Sequence, residues 1–387
     1  MSEMEAKDAF RKLRDILMMP KSKSSIDILK IWYTPEDVKV LMAGPFKIMG
    51  RDRYTIEEFA DMTKLPVNIV KETFERLAKR GVLFYYVSRR DGKKKYMIPP
   101  LFPGLVEYFI INQNVNIDER RKFVERFHDN PEFSGFLANP SDFSVFRIVP
   151  ALKPGTESRL IQVGEEVQVD KSQVFTYQDV EKIVREAGKL ENNIAVLPCT
   201  CRTMSMMLKT NPDCKRTVTN CLVFGVPARY TVEQGIGHYI SVDETLEILK
   251  KAEKEGLVHL SQNTIDRHGF ICNCCECCCG ILSSAKKYNL PNMFQKTDYV
   301  PVFNMETCKH CKKCVKICPF YAISYITGEK EDKSDDKIKV REDVCIGCGV
   351  CASNCPSESI TLKKVRDVKP ADTFIEAVTK MMTGIQK

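Results

Sequence analysis

The chain has 387 residues, 43% apolar and 28% charged, with a formal net charge of +8. This is an ordinary globular balance; it excludes a disordered polar chain, and so small an excess over this length does not by itself call for nucleic acid. No apolar run approaches the ~18 residues of a membrane helix, and the opening MSEMEAKDAFRKLRDILMMP mixes charges where a leader would be apolar, so neither a membrane span nor a signal peptide is expected and the expected compartment is the cytoplasm.

Residues 1–35 read as one or two helices with a polar break at Lys21–Ser25. PEDVKVLMAGPF predicts a helix ending at Gly44, and YTIEEFADMTKL a second, with Thr55 and Glu58 at capping-box spacing. PVNIVKETFERLAKRG predicts a third, started by Pro66 and stopped by Gly81, with Val67, Val70, Phe74 and Leu77 on one apolar face. VLFYYVSRR and KKKYMIPP then read as strands joined at Asp91-Gly92, a hairpin signal. Helix, helix, helix, hairpin is the order of a winged helix, which residues 36–98 resemble. Residues 101–150 read as helical, through GLVEYFIIN and DERRKFVERFHD. A β segment (RLIQVGEEVQV), a helix (TYQDVEKIVREAGKL) and a buried strand (IAVLP) come next; after them stand GVPARYTVEQGIGHYIS, the helix SVDETLEILKKAEKEG and the strand LVHLSQ. The chain then reaches a cysteine-dense turn at Cys272–Cys279, and a short amphipathic helix is expected after Lys369.

All 18 cysteines lie between Cys199 and Cys355. In a reducing compartment such clustering points to metal or redox chemistry rather than disulfides. Two runs have the spacing C-x₂-C-x₂-C-x₃-C-P: Cys308, Cys311, Cys314, Cys318 with Pro319, and Cys345, Cys348, Cys351, Cys355 with Pro356. Three cysteines of a tight loop reach three corners of one cubane, and the fourth, carried off on a helix, faces the other. One [4Fe–4S] cluster would then take Cys308, Cys311, Cys314 and Cys355, the other Cys345, Cys348, Cys351 and Cys318. A zinc array fits poorly, since zinc sites come as paired knuckles. Residues 300–363 thus resemble a bacterial two-[4Fe–4S] ferredoxin, apart from a longer charged linker, TGEKEDKSDDKIKV, read as a solvated hairpin. Lys309, His310, Lys312 and Lys313 thread the first run, and Ile346, Gly347, Gly349 and Val350 the second. Positive charge favours a reduced cluster, so the first is expected at the higher potential.

Ten cysteines remain: Cys199, Cys201, Cys214 and Cys221, then Cys272, Cys274, Cys275, Cys277, Cys278 and Cys279. Both groups come directly after strand-like segments. Three readings stand: one or more further [4Fe–4S] clusters, a structural zinc ion, or ordinary thiols, some of them a redox-active pair. The C-T-C-R and C-N-C-C-E-C-C pair, across residues 190–365, is similar to a family of multi-cluster 4Fe–4S binding proteins of anaerobes; the resemblance implies a low-potential, ferredoxin-like electron carrier and names no substrate.

There is no phosphate-binding P-loop, and Gly235-Ile-Gly237 lacks the third glycine of a dinucleotide fingerprint, so no nucleotide cofactor is expected. His268, four residues before Cys272, is the best histidine candidate for a ligand; His238 and His259 read as structural, and Trp32 and Tyr33 as core anchors. Lys71, Arg76, Lys79 and Arg80 on the third helix, and Arg89, Arg90, Lys93, Lys94 and Lys95 on the wing, could meet DNA phosphates, but Glu72 and Glu75 would repel them. Residues 1–150 hold 26 basic and 21 acidic residues, a net +5. That is weak for a DNA binder, and docking of a partner or a homodimer is favoured. The expected fold is α+β: a helical, winged-helix-like part over 1–150, a cysteine-rich α+β part over 151–298, a ferredoxin part over 299–365 and a C-terminal helix over 366–387. The leading functional expectation is an electron-transfer protein or oxidoreductase subunit serving a redox partner. The alternatives are a redox-sensing regulator that reads DNA, and a reductase with its substrate in the middle part.

Overall fold

The computed structural model describes residues 3–47, 52–88, 90–128, 130, 132–133, 141–151, 179–266, 268–288, 290 and 292–384; the expected β segment RLIQVGEEVQV lies outside them, as does Arg89. The chain is a mixture of helix and sheet. It forms two compact units. The first is Met1–Leu137 with Thr200–Pro212 and Val226–His238; the second is Ala138–Cys199, Asp213–Gly225 and Tyr239–Lys387.

In the first unit helices run over Glu3–Ile16, Lys23–Trp32, Pro35–Ala43, Ile56–Thr63 and Val67–Lys79, before a hairpin of Phe84–Val87 with Lys94–Met97. Thr34 and Thr55 each close a capping box, with Asp37 and Glu58, which satisfies two otherwise orphaned N–H groups at each helix start. Gly92 turns the hairpin at φ +66°. Val70, Phe74 and Leu77 are buried as their spacing predicts, whereas Val67, in the first turn, is 51% exposed. Trp32 packs on Phe109 and Phe123, and Phe74 on Phe59 and Tyr96. The later segment Val226–Glu233 is sewn into this unit through Tyr230, whose ring stacks 4.2 Å from Phe84 and whose hydroxyl donates to the Ala78 carbonyl at 2.7 Å.

In the second unit the strands Phe146–Val149, Val258–Gln262, Phe270–Cys274, Thr219–Phe224 and Ile194–Pro198 lie side by side in that order, antiparallel. The first of them corrects the helical reading of 101–150: Phe-Arg-Ile-Val has the branched and aromatic side chains that suit a pleat, and it pairs Phe146 with Gln262 and Val149 with His259. Helices Val180–Ala187 and Val242–Lys254 cover one face, where Ile183, Val184 and Leu249 pack on Val196, Leu222 and Ile271. Because a strand alternates its faces, Leu222 and Ile271 going under the helices leave Cys221, Cys272 and Cys274 on the other side.

The C-terminal part of this unit is a ferredoxin-type module. Tyr299–Phe303 pairs with Ile360–Lys364, and Ile323–Ile326 with Lys337–Val340, so the charged linker is indeed the turn of a hairpin. Two short helices, Lys313–Ile317 and Val350–Ser353, carry the third cysteine of each run, Cys314 and Cys351, and end just before the fourth. Phe374–Gly384 is the closing helix.

Candidate metal centres

Two cavities of similar size open inside the ferredoxin-type module. Cys308, Cys311, Cys314 and Cys355 line one; Cys318, Cys345, Cys348 and Cys351 line the other. The repeat extends to the backbone. His310 and Lys312 in the first loop, and Gly347 and Gly349 in the second, take left-handed conformations (φ 52°, 58°, 71° and 74°), which curl each loop so that its three sulfurs converge. The N–H groups of His310 and Ala322 point at the sulfurs of Cys308 and Cys318, 3.4 and 3.3 Å away. Such donors stabilise a thiolate and the added charge of a reduced cluster. Burial pushes the Cys314 thiol up to about 11 and Cys351 well above its ordinary value. A bound metal displaces the thiol protons.

The two cavities differ in their surroundings. Cys311 is exposed, and Lys309, Lys312 and Lys313 beside it are exposed too. Cys345 and Cys351 are each only 8% exposed. The second loop is clamped onto the sheet: the Ala151 N–H donates to the Cys348 carbonyl (2.9 Å), Thr297 Oγ1 to the Gly347 carbonyl (2.9 Å) and the Thr297 N–H to the Ile346 carbonyl (3.2 Å).

The ten middle cysteines separate into distinct groups. Cys221 and Cys272, neighbours across adjacent strands, have their sulfurs 4.0 Å apart. Cys274 hydrogen-bonds with Cys272 and Cys279; these contacts, then burial, drive its thiol well up. The turn between Cys274 and Cys279 presents three other sulfurs, those of Cys275, Cys277 and Cys278, to Cys214. Cys199 closes the strand Ile194–Pro198, donating its N–H to the Val218 carbonyl, and Cys201 sits in the first turn of helix Thr200–Leu208, which is part of the first unit. The sequence read Cys272–Cys279 as one turn; in fact Cys272 and Cys274 belong to a strand, and the chain turns only beyond Cys274.

Some neighbours of these sites carry no signal in the sequence. Asn273, between Cys272 and Cys274 but on the opposite face, shares a hydrogen bond with His259 Nδ1 at 2.7 Å, and His259 Nε2 meets Glu253 at 3.1 Å, all buried. Asn354, next to Cys355, donates to the Glu253 carbonyl at 2.8 Å. Tyr325 meets His310 Nδ1 at 2.8 Å and donates to Asp336 beside the first cavity. His268 belongs to none of the compact ligand groups found among the described residues; its Nδ1 meets Ser261 at 2.8 Å, and burial holds its ring down to about 4.

Paired four-cysteine cavities related by an internal repeat define an iron–sulfur module of the ferredoxin type. Residues 307–359 match the family model of the 4Fe-4S dicluster domain. Pyruvate synthase subunit PorD of Methanocaldococcus jannaschii is 36% identical over 69 residues, 18% of this chain and 70% of that protein. An uncharacterized ferredoxin of the same organism is 31% identical over 93 residues (24% and 49%), and hydrogenase-4 component A of Escherichia coli 34% over 70 residues (18% and 30%). The chain belongs to the 4Fe–4S ferredoxin-type proteins, a class of iron–sulfur electron transfer. It spans about half the length of that uncharacterized ferredoxin and under a third of the hydrogenase component. Among the described residues no helix is long and apolar enough to cross a membrane.

Proposed function

We propose that this chain relays single electrons between a protein partner and a redox group of its own in the cysteine-rich part. When bound, two [4Fe–4S] clusters supply outer-sphere one-electron transfer. Cys308, Cys311, Cys314 and Cys355 would hold the outer cluster, and Cys318, Cys345, Cys348 and Cys351 the inner one. The observation that carries the reading is the asymmetry of these two sets: the first lies at the surface among lysines, the second is buried against the sheet. Lys309, Lys312 and Lys313 orient an acidic partner over Cys311, while Ala151, just past the strand Phe146–Val149, and Thr297 hold the inner loop against the rest of the unit. These three, with Cys279 and Cys199, are the candidate ligands of the further redox group. Iron and acid-labile sulfide on anaerobically purified protein test this, with a potentiometric titration followed by EPR. Eight irons or more, with the solvent-facing cluster titrating at the higher potential, are expected; protein folded and free of iron would end the proposal, and equal potentials would remove its directional part.

The three-helix and hairpin order of residues 36–98 supports a winged-helix module, and its charge pairing favours protein docking over DNA. Arg76 is held by Asp37, Arg80 by Glu119 and the Ile31 carbonyl, and Lys95 by Asp91, while Lys94 lies over the Tyr85 ring. Cations already engaged within the fold release few counterions on meeting a duplex.

A further inference from the structure

The ten middle cysteines do not form one pool, and one subset has a geometry unlike the rest. The sulfurs of Cys214, Cys275, Cys277 and Cys278 all lie within 4.8 Å of one another, and Cys277 and Cys278 are 3.7 Å apart. A zinc–thiolate bond of about 2.3 Å makes the edge of a tetrahedral four-sulfur site ~3.8 Å. The thiolates of a cubane sit on four different irons and must stand wider. The chain carries its own control: among the described residues neither four-cysteine set of the ferredoxin-type module is gathered so tightly, and nor is the group around Cys221 and Cys272.

The surroundings suit a closed, non-redox ion. Cys275 is 1% exposed and Cys278 8%, and the four sulfurs pack with Ala252 and Leu257 at the end of helix Val242–Lys254. The donors come from two separated segments, one from the loop ahead of strand Thr219–Phe224 and three from the turn after strand Phe270–Cys274. Bridging two loops is what a structural zinc does, whereas a catalytic zinc keeps one position open. The Arg216 N–H and the thiols of Cys277, Cys278 and Cys275 converge on Cys214. Arg216 and Ile317 also crowd over Gly256, so this corner abuts the helix Lys313–Ile317, which carries Cys314.

We propose that Cys214, Cys275, Cys277 and Cys278 form a mononuclear, four-thiolate zinc site, separate from every iron–sulfur site of the chain. By pinning the Cys275–Cys278 turn, the ion fixes the spacing of Cys274 and Cys279, which bracket it. The test uses the full chain, purified anaerobically from zinc-supplemented medium. One zinc per chain is expected, with X-ray absorption showing four sulfur neighbours at about 2.3 Å and no nearby iron. Cys214→Ser should lose at least tenfold in zinc retention against a chelator while keeping the EPR signals of the ferredoxin-type module, and Cys272→Ser should keep its zinc. If Cys214→Ser does not fold, cobalt exchange into the unaltered protein serves instead: the absorption of a tetrahedral cobalt–thiolate centre supports the site. Zinc absent, iron found at these sulfurs, no tetrahedral cobalt–thiolate absorption, or zinc equally retained in Cys214→Ser would each overturn it.

Discussion

A methyl group at residue 347 tests the inner cluster loop most directly. Gly347 has φ +71°, and a Cβ there would lie 1.9 Å from Thr297 Oγ1 and 2.3 Å from the Tyr299 carbonyl oxygen. Neither neighbour can retreat. Thr297 donates to the Gly347 carbonyl and accepts the Tyr299 N–H, and Tyr299 opens the strand paired with Ile360–Lys364. Left-handed backbone in an alanine costs about 1–2 kcal/mol and overpacking about 1–3, so Gly347→Ala should destabilise the loop by about 2–5 kcal/mol. Gly349 is the comparison. Its φ is +74°, but an added Cβ would meet Leu362 Cδ1 at 3.1 Å and the Ala151 nitrogen at 3.3 Å, and the leucine tip can turn aside. Gly349→Ala should therefore cost little beyond the backbone strain, about 1–2 kcal/mol. The assay is iron loss to a chelator, followed by EPR so that the two clusters are scored separately. Gly347→Ala should shed the inner cluster first and faster than Gly349→Ala, with the outer one retained. Equal loss rates in the two variants, or an unaltered Gly347→Ala, would refute the close-approach argument.

Charge and burial set two further outcomes. Reversing Lys309, Lys312 and Lys313 to glutamate should slow oxidation by an anionic one-electron oxidant by roughly tenfold or more at low ionic strength, and the effect should vanish near 1 M salt, where screening reaches about 3 Å; stopped-flow rates that ignore both charge and salt would mean that electrons leave elsewhere. Glu253→Ala leaves His259 Nε2 buried without the partner it has at 3.1 Å, which should cost about 1–3 kcal/mol in the second unit, read as a lowered thermal midpoint at equal iron content.

The ferredoxin-type module was legible because its chemistry is local. Ligand spacing within Cys308–Cys318 and Cys345–Cys355 is fixed by a tight loop and one helical turn, so the string of residues nearly states the geometry. The capping box at Thr55, the Gly92 turn and the helix of residues 67–79 were legible for the same reason: each rests on contacts three or four residues apart. Val67 departs because a first-turn residue has solvent on the side where later turns have core. The strand Phe146–Val149 was missed because four residues carry no period that separates strand from helix, and its partner is more than a hundred positions away.

What the sequence by itself determined is that eighteen thiols exist, that eight obey the dicluster rule, and that no long apolar span accompanies them. Which sulfurs of Cys199–Cys279 stand together was decided by tertiary structure alone. Strand pleat sends Cys272 and Cys274 to one face and Asn273 to the other, cross-strand pairing brings Cys221 to Cys272, and a turn delivers Cys275, Cys277 and Cys278 to Cys214, sixty-odd residues back along the chain. Cysteines next to one another in sequence thus fall into different sulfur groups, because neighbours in a strand face opposite ways and a turn reverses the chain within four residues.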